Sequence, residues 1–414
     1  MTLPDRSRLA AVILLYALTR LLILALYQPA GTDVLLYYEY VTRAAAGQTP
    51  YRDLAIEYPP LSWWTMALPA TTEWETYLPR FRRLMFAFDA GAFALFVAIV
   101  RRRRNDLASG LAAAYVVTTA AVAPVLIDRI DAGLLLLLML WAYSWVRRLE
   151  GGPNAEGWIL FAYWILGVGI AHKLMPLAIV PVLLAGERGE RAGALLKRMG
   201  AVALGAVPPF LVHIPSAGWG TMEFLTYHAA RGIEIGSLFA NVMWLVSWLG
   251  VPVRVDYRFA AFELVGPLGG TMTVLSTIVG FGIVAALCAY ASRTALDPEA
   301  PGSRGARLYV LGCLALPVLI LASKVLSPQY FVWTMPLMLL AAVELMRNTR
   351  ELAVFCAAVI VLAVLTTVVY PIGFAGLRAF RLDVWIILTA RNVLLVGLAC
   401  WLVWAVVQRE KGLA

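Results

Sequence analysis

The chain has 414 residues, 62% hydrophobic and 14% charged, with a mean hydropathy of +0.79 and a formal net charge of +9. Soluble domains carry about 25% charged residues, so a water-soluble globule is excluded. Runs of about 20 apolar residues predict an all-α polytopic membrane protein. The basic excess comes without a nucleic-acid-binding signature, and positive charge retained in cytoplasmic loops explains it.

In chain order, Leu9–Tyr27 follows Arg6 and Arg8. It exceeds a signal-peptide core and lacks a small-residue cleavage site, so it reads as an uncleaved first helix. Further basic clusters are Arg101–Arg104, Arg147 and Arg148, Arg188 to Arg198, Arg293 to Arg307, Arg347 and Arg350, and Arg409 with Lys411. Placing them all in the cytoplasm gives one consistent topology, with both termini inside and roughly twelve spans. A Pro/Gly-rich linker, Asp297 to Gly305, lies among them. Residues 1–414 form one transmembrane domain with two large outer loops, 28–79 and 215–267. Trp158–Ile170 and Leu174–Ala185 are short for spans, which predicts a recessed turn at His172 and Lys173. Leu238–Leu249 is expected to be interfacial or re-entrant.

The polar residues at the apolar boundaries are unevenly placed. Asp33, Glu57, Asp128, Arg129, Asp131, His172, Lys173, His228, Arg231, Lys324 and Gln329 all fall on the predicted outer side. Polar groups are costly at membrane depth and usually mark function. Their gathering on one face predicts a site at the membrane surface rather than a pore. In the first outer loop, Thr32 can cap a helix from Asp33 to about Gly47. Asp33, Tyr37, Tyr40 and Ala44 share one face of that interfacial helix. Asp33 in the first turn is kept ionised by the helix dipole. It either complements that dipole or accepts a proton as general base. Glu57-Tyr58-Pro59-Pro60 follows, a stiff turn that either brings Glu57 near Asp33 or merely starts a helix.

Asp33-x-x-x-Tyr37, Gly47-x-x-Pro50-Tyr51-Arg52-Asp53 and Glu57-Tyr58-Pro59-Pro60-Leu61 resemble the first periplasmic loop of glycosyltransferase family 87. That family belongs to the GT-C superfamily, whose members use polyprenyl-phosphate sugars and include α-mannosyltransferases. Three more stretches are similar: Asp128-Arg129-Ile130-Asp131; His172-Lys173-Leu174-Met175-Pro176; and Ser327-Pro328-Gln329-Tyr330 after Lys324, with Trp333 and Pro336. Tyr227-His228-x-x-Arg231-Gly232-Ile233-Glu234 resembles a further loop, except that Gly236 stands where the family has Glu, with Glu234 two residues earlier.

The resemblance implies a GT-C fold and a sugar transfer, most simply of mannose, from a polyprenyl-phosphate donor to a lipid or glycan acceptor. It places the reaction on the outer face of a bacterial cytoplasmic membrane, with Asp33 as general base. Substrate-binding roles fall on Glu57, Tyr37, Arg129, Asp131, His172, Lys173, His228, Arg231, Glu234, Lys324, Gln329 and Tyr330. Lys173, Arg231, Arg129 and Lys324 are the candidate cations for the departing phosphate. Each has a plainer reading. Lys173 pairs with a carboxylate such as Asp128, Lys324 snorkels to the surface, and Arg129 pairs with Asp131. Arg80, Arg82 and Arg83 hold lipid phosphates, and Arg20 with Asp89 forms an interhelical pair or lines the cavity. No P-loop or dinucleotide motif is present. Three histidines, together with Cys288, Cys313, Cys356 and Cys400 inside apolar segments, offer no zinc spacing. No cofactor or nucleic acid is therefore expected, and a lipid-monophosphate leaving group does not require a metal; the partners are the donor lipid, its acceptor and membrane lipids. A lipid-linked-sugar transporter or flippase and a non-enzymatic scaffold are the competing readings; transporters usually show repeats and midplane sites, which this chain lacks.

Overall fold

The computed structural model describes residues 3–27, 33–294, 301–346 and 348–410. The expected Thr32 cap, the first part of the Asp297–Gly305 linker, Arg347 and Lys411 lie outside them. Eighteen α-helices follow in order among the described residues. They are α1 (Leu3–Leu26), α2 (Asp33–Ala45), α3 (Pro60–Ala67), α4 (Trp74–Arg103), α5 (Ala108–Ala121), α6 (Ala123–Ile127), α7 (Asp131–Leu149), α8 (Ala155–His172) and α9 (Ile179–Gly186). Then come α10 (Ala192–Ala217), α11 (Glu223–Ala230), α12 (Leu238–Ser247), α13 (Gly269–Thr294), α14 (Pro301–Leu319), α15 (Tyr330–Leu345), α16 (Thr349–Thr367), α17 (Phe374–Arg378) and α18 (Leu382–Glu410).

Among the described residues nine helices are long and apolar enough to cross a membrane, and three shorter apolar helices accompany them. The chain is an all-α polytopic membrane protein. α15 forms the axis, with every residue from Tyr330 to Leu345 buried. α1 and α13 stand at the periphery, exposing Leu14, Leu21, Ile278 and Phe281 as lipid-facing side chains do. α1 packs Leu9 and the Tyr16 ring, 4.4 Å from that of Phe93, on the core, and a polar clamp adds to this hold. Arg20 donates to Asp89 at 2.8 Å and to Thr119 at 2.5 Å, and Asp89 also accepts from Tyr16 (2.8 Å) and Tyr115 (2.9 Å). Arg20 and Asp89 are thus an interhelical pair.

α8 and α10 approach through facing glycines. A Cβ on Gly167 would overlap the carbonyl of Val202, and one on Gly205 would overlap that of Trp164. Only hydrogen at these positions lets the two backbones touch.

The charged clusters sort to two ends. At one end, Arg103 of α4 meets Glu344 of α15 at 2.6 Å, and Glu187 pairs with Arg148 (3.4 Å) and Arg198 (2.8 Å). The ends of α4, α7, α9, α10 and α15 therefore meet, as an alternating topology requires. The site described below lies at the other end.

Two features differ from expectation. α4 starts at Trp74, before Pro79, so the first connecting loop is shorter than 28–79. The 215–267 region contains strands β1 (Ile233–Glu234), β2 (Arg254–Arg258) and β3 (Ala261–Val265) in the antiparallel order β1-β3-β2. Apolar periodicity hides strands this short beside long helices. The β2–β3 turn uses Phe259 and Ala260 at φ of 50° and 51°, a left-handed conformation that side chains rarely take. β1, β3, α12, α17 and the start of α18 share a second small apolar cluster, including Ile233, Trp244, Leu264, Leu377 and Leu388.

Candidate active site at the polar end of the bundle

The turn Asp128–Asp131, between α6 and α7, is the hub. Asp128 accepts two hydrogen bonds from Arg82 of α4 (2.7 and 3.0 Å). Arg129 pairs with Asp33 at the start of α2 and donates to the Tyr370 hydroxyl at 3.0 Å. Asp131 accepts from Lys173 Nζ (2.8 and 3.0 Å) and from Trp333 Nε1 (2.8 Å). Three residues of one turn thus reach α2, α4, the turn after α8, α15 and the segment that follows α16. Buried charges need such partners. The pairing differs from expectation: Lys173 takes Asp131 rather than Asp128, Arg129 takes Asp33 rather than Asp131, and Arg82 is buried rather than offered to lipid.

The first loop presents Glu57 and Tyr58. Tyr40 donates to the carbonyl of Ala55 (3.0 Å), Tyr51 to that of Tyr58 (3.2 Å), and the Tyr37 and Tyr58 hydroxyls lie 3.3 Å apart. Burial pushes the Tyr37 and Tyr58 phenols well above their ordinary range, so both stay protonated. Pro59 and Pro60 lead into α3, where Ser62 Oγ donates to the carbonyl of His172 and ties this loop to the end of α8. Burial raises the Tyr227 phenol, with the Glu57 carboxylate adding to the rise, and burial with the nearby Arg231 and Lys173 charges lowers the His228 imidazole to about 4. The Lys173 ammonium sits above the rings of Tyr58 (5.8 Å) and Tyr330 (5.2 Å).

The third wall comes from 228–236. Lys324 Nζ donates to the carbonyls of Ala229 (2.9 Å) and Arg231 (2.6 Å), fixing the chain as it leaves α11. The backbone N–H of Glu234 donates to the Lys324 carbonyl at 2.9 Å, and the Glu234 carboxylate accepts from Leu326 N at 3.3 Å. That carboxylate folds back over Gly236, where a Cβ would meet its oxygens at 3.2 and 3.3 Å. The missing side chain at 236 is what makes room for Glu234. Burial pushes the Glu234 carboxyl up to about 7, against the pull of Arg391 behind it. Arg231 Nε is buried and makes no hydrogen bond.

These walls enclose an open cavity of about 430 Å³. Asp33, Glu57, Arg129, Lys173, His228, Arg231, Glu234, Gln329 and Tyr330 all line it. Tyr37, Asp131, His172 and Lys324 stand behind the wall. Tyr37 holds Tyr58, Asp131 holds Lys173, and Lys324 holds the 229–231 carbonyls. The His172 imidazole is packed on Gly133. Tyr257 and Phe262 of the hairpin, and Tyr370, Phe374 and Arg378 near α17, line the cavity too, although no sequence motif marks them. One signal was available: Arg378 and Arg381 sit on the predicted outer side, against the positive-inside trend. Among the described residues no three His, Cys, Asp or Glu side chains gather to hold a metal.

No protein-family model matches the chain, and no curated protein matches it. Among solved structures it is similar to ArnT from Cupriavidus metallidurans bound to undecaprenyl phosphate, at 14% identity and a TM-score of 0.43. That match covers 97% of this chain and 78% of the other. The apo form of the same protein gives 15% identity and a TM-score of 0.41, over 97% and 77%. The likeness is distant.

Proposed function

We propose that this protein is a membrane glycosyltransferase of the GT-C type. It takes a sugar, most simply mannose, from a polyprenyl-phosphate donor and passes it to a lipid or glycan hydroxyl at the outer face of the cytoplasmic membrane. One observation carries this reading. Asp33, 30% exposed, opens onto the same cavity as Lys173 and the unsatisfied Arg231 donor, at the end of the bundle opposite the basic cluster.

Arg129, tethered by Tyr370, holds Asp33 in one direction. The acceptor oxygen attacks the anomeric carbon, and Asp33 takes its proton as the new C–O bond forms. The bond from that carbon to the phosphate oxygen breaks, and polyprenyl phosphate leaves with the electron pair. Arg231 and Lys173 meet the growing charge in a partly desolvated pocket, where fixed cations count for most. Glu57 and Glu234 are placed to accept hydrogen bonds from sugar hydroxyls.

The test is transfer of radiolabelled sugar from polyprenyl-phosphomannose, and from the corresponding arabinose donor, by the purified full-length protein. Asp33→Asn is expected to lower kcat by about 10²–10⁴-fold, the range for a lost general base, while donor binding persists. Undiminished transfer by that variant would remove Asp33 from the chemistry.

A further inference from the structure

The cations around the cavity differ in how their charge is used. Arg129 is paired with Asp33, Lys173 with Asp131, and Arg82 with Asp128. Arg381, just outside, is paired with Asp383 at 2.6 Å. Among the described residues Arg231 likewise forms no ion pair, but it is half-buried in the wall; Arg378 is the exposed exception. Its exposed guanidinium lines the cavity and rests on the rings of Phe262 (4.7 Å) and Phe374 (5.5 Å). No carboxylate among the described residues pairs with it. Two aromatic faces orient the fork without consuming its donors.

Position adds a second constraint. Phe374 packs on Tyr370 at 5.0 Å, and Tyr370 is the tether of Arg129, so two rings and one guanidinium separate Arg378 from Asp33. Around α17, Ile372 is 72% exposed and Leu382 is 53% exposed. An unpaired arginine between exposed apolar side chains, at the end of membrane-length helices, suits the headgroup level. There it meets a phosphate above and acyl chains beside it.

We propose that Arg378 binds the phosphate of an anionic phospholipid that serves as acceptor, turning a headgroup hydroxyl toward Asp33. This rests on the transferase reading above. The donor phosphate then occupies the separate pole at Lys173 and Arg231, so the cavity holds two phosphates at once, one on each side of the catalytic carboxylate.

The experiment uses the full-length protein in neutral detergent, with phosphatidylglycerol and undecaprenyl phosphate as probes and phosphatidylcholine as control. Native mass spectrometry counts the bound lipids, and titration gives affinities. Both anionic lipids are expected to bind together. Arg378→Ala should weaken phosphatidylglycerol at least about tenfold, the scale of one charge-assisted hydrogen bond, and leave undecaprenyl phosphate within about twofold. Arg378→Lys should retain part of the affinity, and Arg231→Ala should weaken undecaprenyl phosphate instead. Unchanged phosphatidylglycerol affinity in Arg378→Ala would overturn the proposal. So would displacement of one anionic lipid by the other, which means a single phosphate site. Failure of undecaprenyl phosphate to bind, with phosphatidylglycerol still dependent on Arg378, would remove the donor reading and leave the lipid site standing.

Discussion

Asp128, Arg129 and Asp131 lie within a single turn, yet each serves a different partner, and the cavity depends on all three. Arg82 and Asp128 are 7% and 2% exposed. Removing one member strands the other without water, and breaking a buried pair of this kind costs about 3–5 kcal/mol. Arg82→Ala is therefore expected to lower the thermal midpoint of the purified protein sharply, and Arg82→Ala with Asp128→Ala to recover part of the loss; equal losses in the two would show that the pair is not coupled. Glu234 has a different signature. Its carboxyl is held up to about 7 by burial, above the ordinary glutamate value of 4.5. The folded protein thus keeps a proton that the unfolded chain releases. Stability from this group is full below about pH 4.5, declines as pH rises, and is lost above about 7. Glu234→Gln should flatten stability against pH across that window, and an unchanged slope would assign the titration elsewhere.

At the scale of elements, the site is a meeting of chain ends. α2 is short and starts on a carboxylate, α8 stops at His172, and α15 starts at Tyr330. The packing of α8 on α10 sets where Lys173 emerges. Because Gly167 and Gly205 touch the opposite backbone, Gly205→Leu is expected to separate the two helices and lower the thermal midpoint by several degrees, as overpacking costs about 1–3 kcal/mol or more. Gly200→Leu, where a Cβ meets open space, is the control and should be near neutral. The hairpin of β2 and β3 closes the far wall through a left-handed turn at Phe259 and Ala260, held by the Phe259 ring against Tyr227 at 5.3 Å. Unfavourable backbone of this kind persists where surrounding contacts enforce it.

For the whole molecule, the two charged ends imply a fixed sidedness. Glu73→Cys and Asp106→Cys, each made singly in a variant lacking the native four cysteines, should react with an impermeant maleimide from opposite faces, position 73 from outside. Labelling of both from one face would reverse or abolish the proposed location of the cavity. The polar clamp of Arg20 and Asp89 belongs at this scale too, since it helps to anchor a first helix that largely faces lipid.

Membrane class and the polar end were legible in the chain because apolar length and the placement of basic residues act locally; against the roughly twelve spans expected, the described residues hold nine helices of membrane length and three shorter apolar ones. Asp33, Glu57, Lys173 and Arg231 were legible as well, since a charged residue beside an apolar run stands out in one dimension. Which charge meets which was decided only by tertiary structure. Asp131 rather than Asp128 faces Lys173 because one turn points successive side chains in different directions, and no spacing rule reports direction across helices. The hairpin, Tyr370 and Arg378 joined the cavity through packing between segments more than a hundred residues apart. Burial, which turns Glu234 into a group that titrates near neutrality, is likewise a property of the assembled fold and of no segment alone.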